Sequence, residues 1–126
     1  MAVARRGFVS IDCADPVPLA QFWAAMLGGE IMSTTDETAD VRTEWVWLSM
    51  MRIQAYRPPT WPDGDVPKQF HLDLAVEDLD GAVDEALRLG ARLSPVQPAP
   101  DKWRVLIDPA GHPFCVTRQI PAAARV

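Results

Sequence analysis

His71, Asp73 and Cys115 carry the side chains in this chain with most scope for chemistry. His71 and Asp73 lie in Gln69–Asp80, QFHLDLAVEDLD, where Phe70, Leu72, Leu74 and Val76 alternate with Gln69, His71, Asp73 and Ala75. That period of two predicts a strand with one buried face, so His71 and Asp73 project together from the other. An imidazole there can donate and accept hydrogen bonds, anchor a ligand or move a proton near neutral pH. Asp73 can orient that ring or hold a ligand amine, or stand as a partly solvated acid. Cys115 lies in another strand-like run, where it reads as a small buried hydrophobe or as the thiolate of a Cys–His nucleophile pair.

The elements that would hold these residues come in two similar sets. Gly7–Cys13 alternates, with Val9, Ile11 and Cys13 on one face and Phe8, Ser10 and Asp12 on the other. Asp15 is a predicted N-cap, Pro16 and Pro18 fit the first helical turn, and Leu19, Phe22, Trp23 and Met26 form one apolar stripe ended by Gly28-Gly29. A short strand over 30–33 follows, with 34–40 as polar turn material. Strands over 43–49 and 52–56 are expected to form a hairpin about Met50-Met51. Residues 57–68, RPPTWPDGDVPK, hold four prolines and read as a linker,. A strand over 69–76, a helix over 78–89, and strands over 92–94, 102–107 and 113–118 then repeat the plan. Asp108–Gly111 is a turn, His112 a turn or surface residue, and 120–126 a loose tail. Asp15 and Asp78 stand 63 residues apart and each caps a helix after a strand, with Phe8 and His71 both seven residues earlier,.

The repeat predicts an α+β domain of two βαβββ modules, over 7–56 and 69–118, whose open sheet faces form one eight-stranded cup. Cys13 falls on the helix side, so it is a packing residue. Trp23 is core, whereas Trp45, Trp47 and Trp103 suit a flat-ligand pocket, a homodimer interface or plain core packing, and Trp61 could cap a pocket mouth.

A length of 126 residues allows one domain,. The net charge of −5 provides no basic stripe for nucleic acid,. No apolar run approaches the ~20 residues of a membrane span. With two cysteines and no export signal visible, reduced thiols and a cytoplasmic address are expected. Dinucleotide, phosphate-loop, zinc-protease and serine-hydrolase motifs do not occur.

The opening strand with ADPVPLAQFWAAMLGG, the segment RIQAY, FHLDLAVEDLDGAVDEALRLGA and the closing WRVLIDPAGHPFCV together resemble the vicinal oxygen chelate superfamily. The likeness is to its glyoxalase-like domains, alongside glyoxalase I, extradiol dioxygenases and bleomycin-resistance proteins. Metal-dependent members take four ligands from the strands of both modules, and the resemblance places Phe8, Gln54, His71 and Cys115 at those positions. Phe8 has no donor atom, and no carboxylate remains among the four. The resemblance therefore implies no cofactor and a metal-free binder of a hydrophobic or aromatic small molecule, lined by Phe8, Ser10, Asp12, Gln54, Trp61, His71, Asp73 and Cys115. The alternatives are a lyase or isomerase using His71 as its catalytic proton-transfer residue, with a divalent metal at His71 and Cys115 or without one, and a regulatory module whose pocket is vestigial.

Overall fold

The computed structural model describes residues 1–119, and the expected tail over 120–126 lies outside them. The chain divides into two compact units, with the boundary between Tyr56 and Arg57.

Unit one runs β1 (Val9–Cys13), α1 (Pro16–Leu27), β2 (Glu30–Thr34), β3 (Thr38–Arg42) and β4 (Trp47–Arg52), with sheet order β1-β4-β3-β2. Strand β1 pairs parallel with β4, and β3 pairs antiparallel with both β4 and β2. The helix covers the face formed by Ile11, Cys13, Ala39, Val41, Leu48 and Met50, and all six are buried. From the helix, Leu19, Ala20, Phe22 and Trp23 are buried, while Met26 is only half-buried. Two prolines start the helix without losing a needed donor. Gly28 ends it at φ 66°, a left-handed position that sends its N–H to Ala24 O,. Asp15 occupies the N-cap position, but its side chain makes no capping hydrogen bond; its carboxylate lies 3.8 Å from Arg52 instead.

Three expectations for this unit are corrected. Residues 38–42 form a strand, because Ala39 and Val41 bury against the helix while Thr38, Asp40 and Arg42 face away. Trp47–Arg52 passes straight through Met50-Met51 with no hairpin there. The turn is earlier, at Thr43–Val46, where Thr43 Oγ1 donates to Val46 O at 2.7 Å and accepts from Val46 N–H at 3.0 Å. Residues 52–56 are consequently not a strand beyond Arg52, and Gln54 sits in an exposed turn next to Ala55 at φ 57°.

Unit two repeats the order with β5 (Asp73–Ala75), α2 (Leu79–Leu89), β6 (Arg92–Leu93), β7 (Trp103–Ile107) and β8 (Pro113–Thr117), in sheet order β5-β8-β7-β6. The β5–β8 pair is parallel and the other two pairs are antiparallel. Helix α2 buries Leu79, Val83 and Ala86, and Leu74, Leu106, Phe114 and Val116 are buried with them. Asp78, like Asp15, is an N-cap without a side-chain cap bond. The expected strand over 69–76 is short, although Cys115 N–H donates to Leu72 O at 2.9 Å and carries the pairing one residue earlier. Residues 57–68 contain no regular element and include a cis Trp61–Pro62 bond. The two-module α+β organisation is thus present, the eight strands among the described residues falling in two four-stranded mixed sheets.

The turn over 108–111 is built around Asp108, which is 1% exposed. Its Oδ1 accepts the N–H of Ala110 and of His112, both at 2.9 Å. Gly111 has φ 92°, and a Cβ there would lie 2.7 Å from Pro58 Cβ. Asp108→Ala strands two N–H donors and is expected to cost about 1–2 kcal/mol, whereas Asp108→Asn, which keeps an acceptor, should lose less. Urea unfolding of both variants checks this.

Candidate functional site

Alternation puts one set of side chains on the sheet face opposite the helix in each unit. In unit one the register aligns Ser10 with Ser49 and Asp12 with Met51, and Asp40 with Ser49. Asp40 accepts from Ser49 Oγ at 2.6 Å and from Ser33 Oγ at 3.1 Å, so its carboxylate is held within that face. Phe8 is not packed away. It is 46% exposed, and its ring meets Trp47 edge-on at 5.4 Å.

Phe8 and Trp47 belong to an open cleft of about 520 Å³ lined by Arg5, Arg6, Gly7, Phe8, Val9, Glu44, Trp45, Val46 and Trp47. The Arg6 guanidinium lies 5.2 Å from the Trp47 ring centre, a cation–π distance. Trp45 is 61% exposed, because it sits at the Thr43–Val46 turn and not within a strand. Three aromatic rings beside two cations, against the one carboxylate of Glu44, can hold a flat, negatively charged molecule. The sequence reading singled out Phe8, Trp45 and Trp47 but missed Arg5 and Arg6. The parallel pairing of β1 with β4 was the signal that sets the N-terminal approach to β1 beside Trp47.

In unit two the β5–β8 register aligns Asp73 with Cys115. His71 is two residues before Asp73 and on its face. His71 Nε2 and Asp73 Oδ1 are 3.1 Å apart, while the imidazole Nδ1 is buried with no hydrogen-bond partner. Cys115 is 6% exposed. Burial raises its thiol pKa to about 11; the Asp73 carboxylate pushes the same way and Lys68 opposes it. At pH 7 only about one thiol in 10⁴ is then ionised in the metal-free protein, which argues against Cys115 as a free nucleophile. Of the expected site residues, the structure brings together His71, Asp73 and Cys115 here, and Phe8 with Trp47 in unit one. Gln54 stands in its exposed turn, not on a strand. Trp61 is half-buried in the 57–68 loop.

His112 is corrected most sharply. It is fully buried, not a surface residue, and its ring meets Phe70 edge-on at 5.7 Å.

The residues at the four positions expected for a family metal are Phe8, which has no donor atom, Gln54, His71 and Cys115. They do not suit a hard dication, which takes carboxylate oxygens. A different grouping exists in unit two. The ligand atoms of His71, Asp73 and Cys115 all lie within 4.8 Å of one another. Asp73 was expected to orient His71 and was not recognised as a third donor.

Residues 8–117 match the model of the glyoxalase-like domain family. The chain belongs to that family, within the vicinal oxygen chelate superfamily. No curated protein matches the chain in sequence. Solved structures share its fold. One is a fosfomycin resistance protein, FosX, from Mesorhizobium loti, at 11% identity, covering 97% of each chain with a TM-score of 0.67. A FosX variant from Listeria monocytogenes, complexed with Mn(II) and 1S,2S-dihydroxypropylphosphonic acid, is 12% identical and covers 94% of this chain and 93% of its own, with a TM-score of 0.69. The bleomycin-binding protein of Streptomyces verticillus, complexed with copper(II)-bleomycin, is 22% identical. It covers 95% of this chain and 100% of its own, with a TM-score of 0.57. Among the described residues no helix is long and apolar enough to cross a membrane.

Proposed function

We propose that this chain is a small-molecule-binding member of the glyoxalase-like family, taking a planar aromatic ligand that carries an anionic group. The observation that carries the reading is the unit-one cleft, in which Arg5 and Arg6 stand with Phe8, Trp45 and Trp47 around about 520 Å³. That volume falls within the range of small-ligand sites. Large aromatic residues left on a surface mark contact sites more often than chance exposure does. A flat ring stacking on indole with its anion beside a guanidinium uses both features, and the bleomycin-binding relative gives the class a precedent.

Titration with 2-naphthoate tests it. Binding should quench tryptophan emission, and Trp45→Ala should weaken affinity about tenfold, equivalent to ~1.4 kcal/mol. Arg6→Gln should weaken it with a reduced salt dependence. Unchanged affinity in both variants rejects the cleft as the site.

A second reading has one specific observation in its favour. The His71–Asp73 pair at 3.1 Å is suited to proton transfer, since the carboxylate fixes the ring and stabilises its protonated form. It supports a lyase or isomerase-type activity. Turnover of any substrate that survives His71→Gln would remove this reading. The homodimer expected from the tryptophan content competes for the same aromatic surface. Sedimentation at micromolar concentration separates the two, a species near 13.9 kDa leaving the cleft to a ligand.

A further inference from the structure

We infer that Arg6 is the specificity-determining residue of the unit-one cleft and selects aromatic monocarboxylates rather than phosphates. This assignment rests on the binding reading above and adds to it the class of anion and the side chain that reads it. The cleft has two cations, and the structure holds them differently. The Arg6 guanidinium lies over the Trp47 ring, 5.2 Å from its centre. Among the described residues no hydrogen bond, ion pair or ring contact fixes Arg5.

The backbone explains the difference. Val9 pairs with Leu48 in the parallel register of β1 and β4, so Phe8 stands beside Trp47 and meets it edge-on at 5.4 Å. Phe8 thereby braces the indole, and Arg6, two residues earlier in the chain, lies over it. A guanidinium is attracted to an aromatic ring through the ring's face. Its N–H groups lie in its own plane, in a fork that fits the two oxygens of one carboxylate. The ring contact therefore holds Arg6 without using those donors, and Arg6 is exposed, so its fork is open to a ligand. Part of the entropy of ordering a long side chain is lost before any ligand arrives, which strengthens binding.

Charge in the cleft sets the valence of the ligand and its orientation. Arg5 and Arg6 stand against one carboxylate, that of Glu44, and two positive charges less one negative match a monoanion. A phosphate monoester carries close to two negative charges above neutral pH and exceeds that balance. Glu44 precedes Trp45 in the Thr43–Val46 turn and repels an anion there. A ring lying on the exposed Trp45 therefore directs its carboxylate to Arg6.

The test titrates the whole chain with 2-naphthoate, 2-naphthamide and 2-naphthyl phosphate at about pH 7.5, where the phosphate is a dianion. Affinities are read from the indole N–H signals in the unsubstituted chain, Arg6→Lys and Arg5→Lys. The unsubstituted chain should bind 2-naphthoate about tenfold or more tightly than 2-naphthamide, the scale of a charge-assisted bidentate contact. It should also bind 2-naphthoate more tightly than the phosphate. Arg6→Lys keeps the charge but loses the fork, so the preference for carboxylate over carboxamide should fall to about threefold or less. Arg5→Lys should lower that preference by less. A structural disturbance would weaken both naphthalenes alike and leave their ratio where it was. The assignment is overturned by a preference that survives Arg6→Lys, by an equal or larger fall in Arg5→Lys, or by tighter binding of the phosphate. In each of these cases the cleft still binds the ring, and the reading above stands. Binding of none of the three probes by the unsubstituted chain rejects the cleft itself, and the assignment to Arg6 with it.

Discussion

Trp23→Ala is expected to lower the unfolding free energy by about 3–5 kcal/mol, the range for deleting a buried large aromatic. Trp23 has 0% exposure, as do Ala39, Val41, Leu48 and Met50 on the sheet face that α1 covers. Those residues come from two strands, β3 and β4, held in one sheet, so they cannot collapse together into the void without shifting the helix. Total stabilities of small domains are about 5–15 kcal/mol, and the variant should therefore sit near the edge of folding. Trp45→Ala, at a 61% exposed site, should change stability by no more than about 0.5 kcal/mol. Urea midpoints of the two variants make the comparison. Equal losses would mean that α1 is not the cover of the unit-one sheet.

The second large effect is a fall in stability at alkaline pH caused by Cys115. Its thiol has an ordinary value of 9.0 and is raised to about 11 in the folded chain, mainly by burial and next by Asp73, against an opposing pull from Lys68. Below pH 9 the thiol is protonated in both states and contributes no slope. Between pH 9 and 11 the folded chain keeps its proton while the unfolded chain loses it, so rising pH favours unfolding. At ~1.4 kcal/mol per unit the metal-free protein should lose about 2–3 kcal/mol across that window, and no more above it. Cys115→Ala removes this component and leaves whatever other groups contribute, so the readout is the difference between the two proteins' stability curves. Parallel curves from pH 8 to 11 would show that the thiol titrates alike in both states.

Much of this architecture was legible because it rests on strong local signals. Asp-Pro after an alternating strand, the stripe Leu19, Phe22 and Trp23, and the closing Gly28 each have a steric or burial cause, and the plan of strand, aspartate, helix and closing glycine returns with Asp78, 63 residues after Asp15, and Gly90. The middle of unit one was not legible in the same way. The Thr43–Val46 turn contains no glycine, proline or asparagine and is closed by the Thr43 hydroxyl, so composition did not mark it. Strand β3 hides its burial behind a small residue, Ala39, between polar neighbours. Once the turn was missed, RIQAY took the place of a strand and carried Gln54 onto it. Position by resemblance failed for the same reason: the residue lies in sequence where a ligand is expected, but not in an element that could present it.

The unit-two cluster shows the converse. Alternation correctly put His71 and Asp73 on one face, yet only the parallel register with β8 reveals that Cys115 stands beside Asp73. Parallel neighbours are distant in sequence, and nothing local encodes which residue faces which. The burial of His112 was equally invisible, because its place is set by the Asp108 turn and the Phe70 ring.

The most direct test of the binding account follows the five indole N–H signals by ¹⁵N NMR as 2-naphthoate is added to about millimolar,. The account predicts that the Trp45 and Trp47 signals move and saturate together while that of the buried Trp23 stays in place. Movement of Trp61 or Trp103 with Trp45 and Trp47 unmoved, or no response from any of the five, would contradict it.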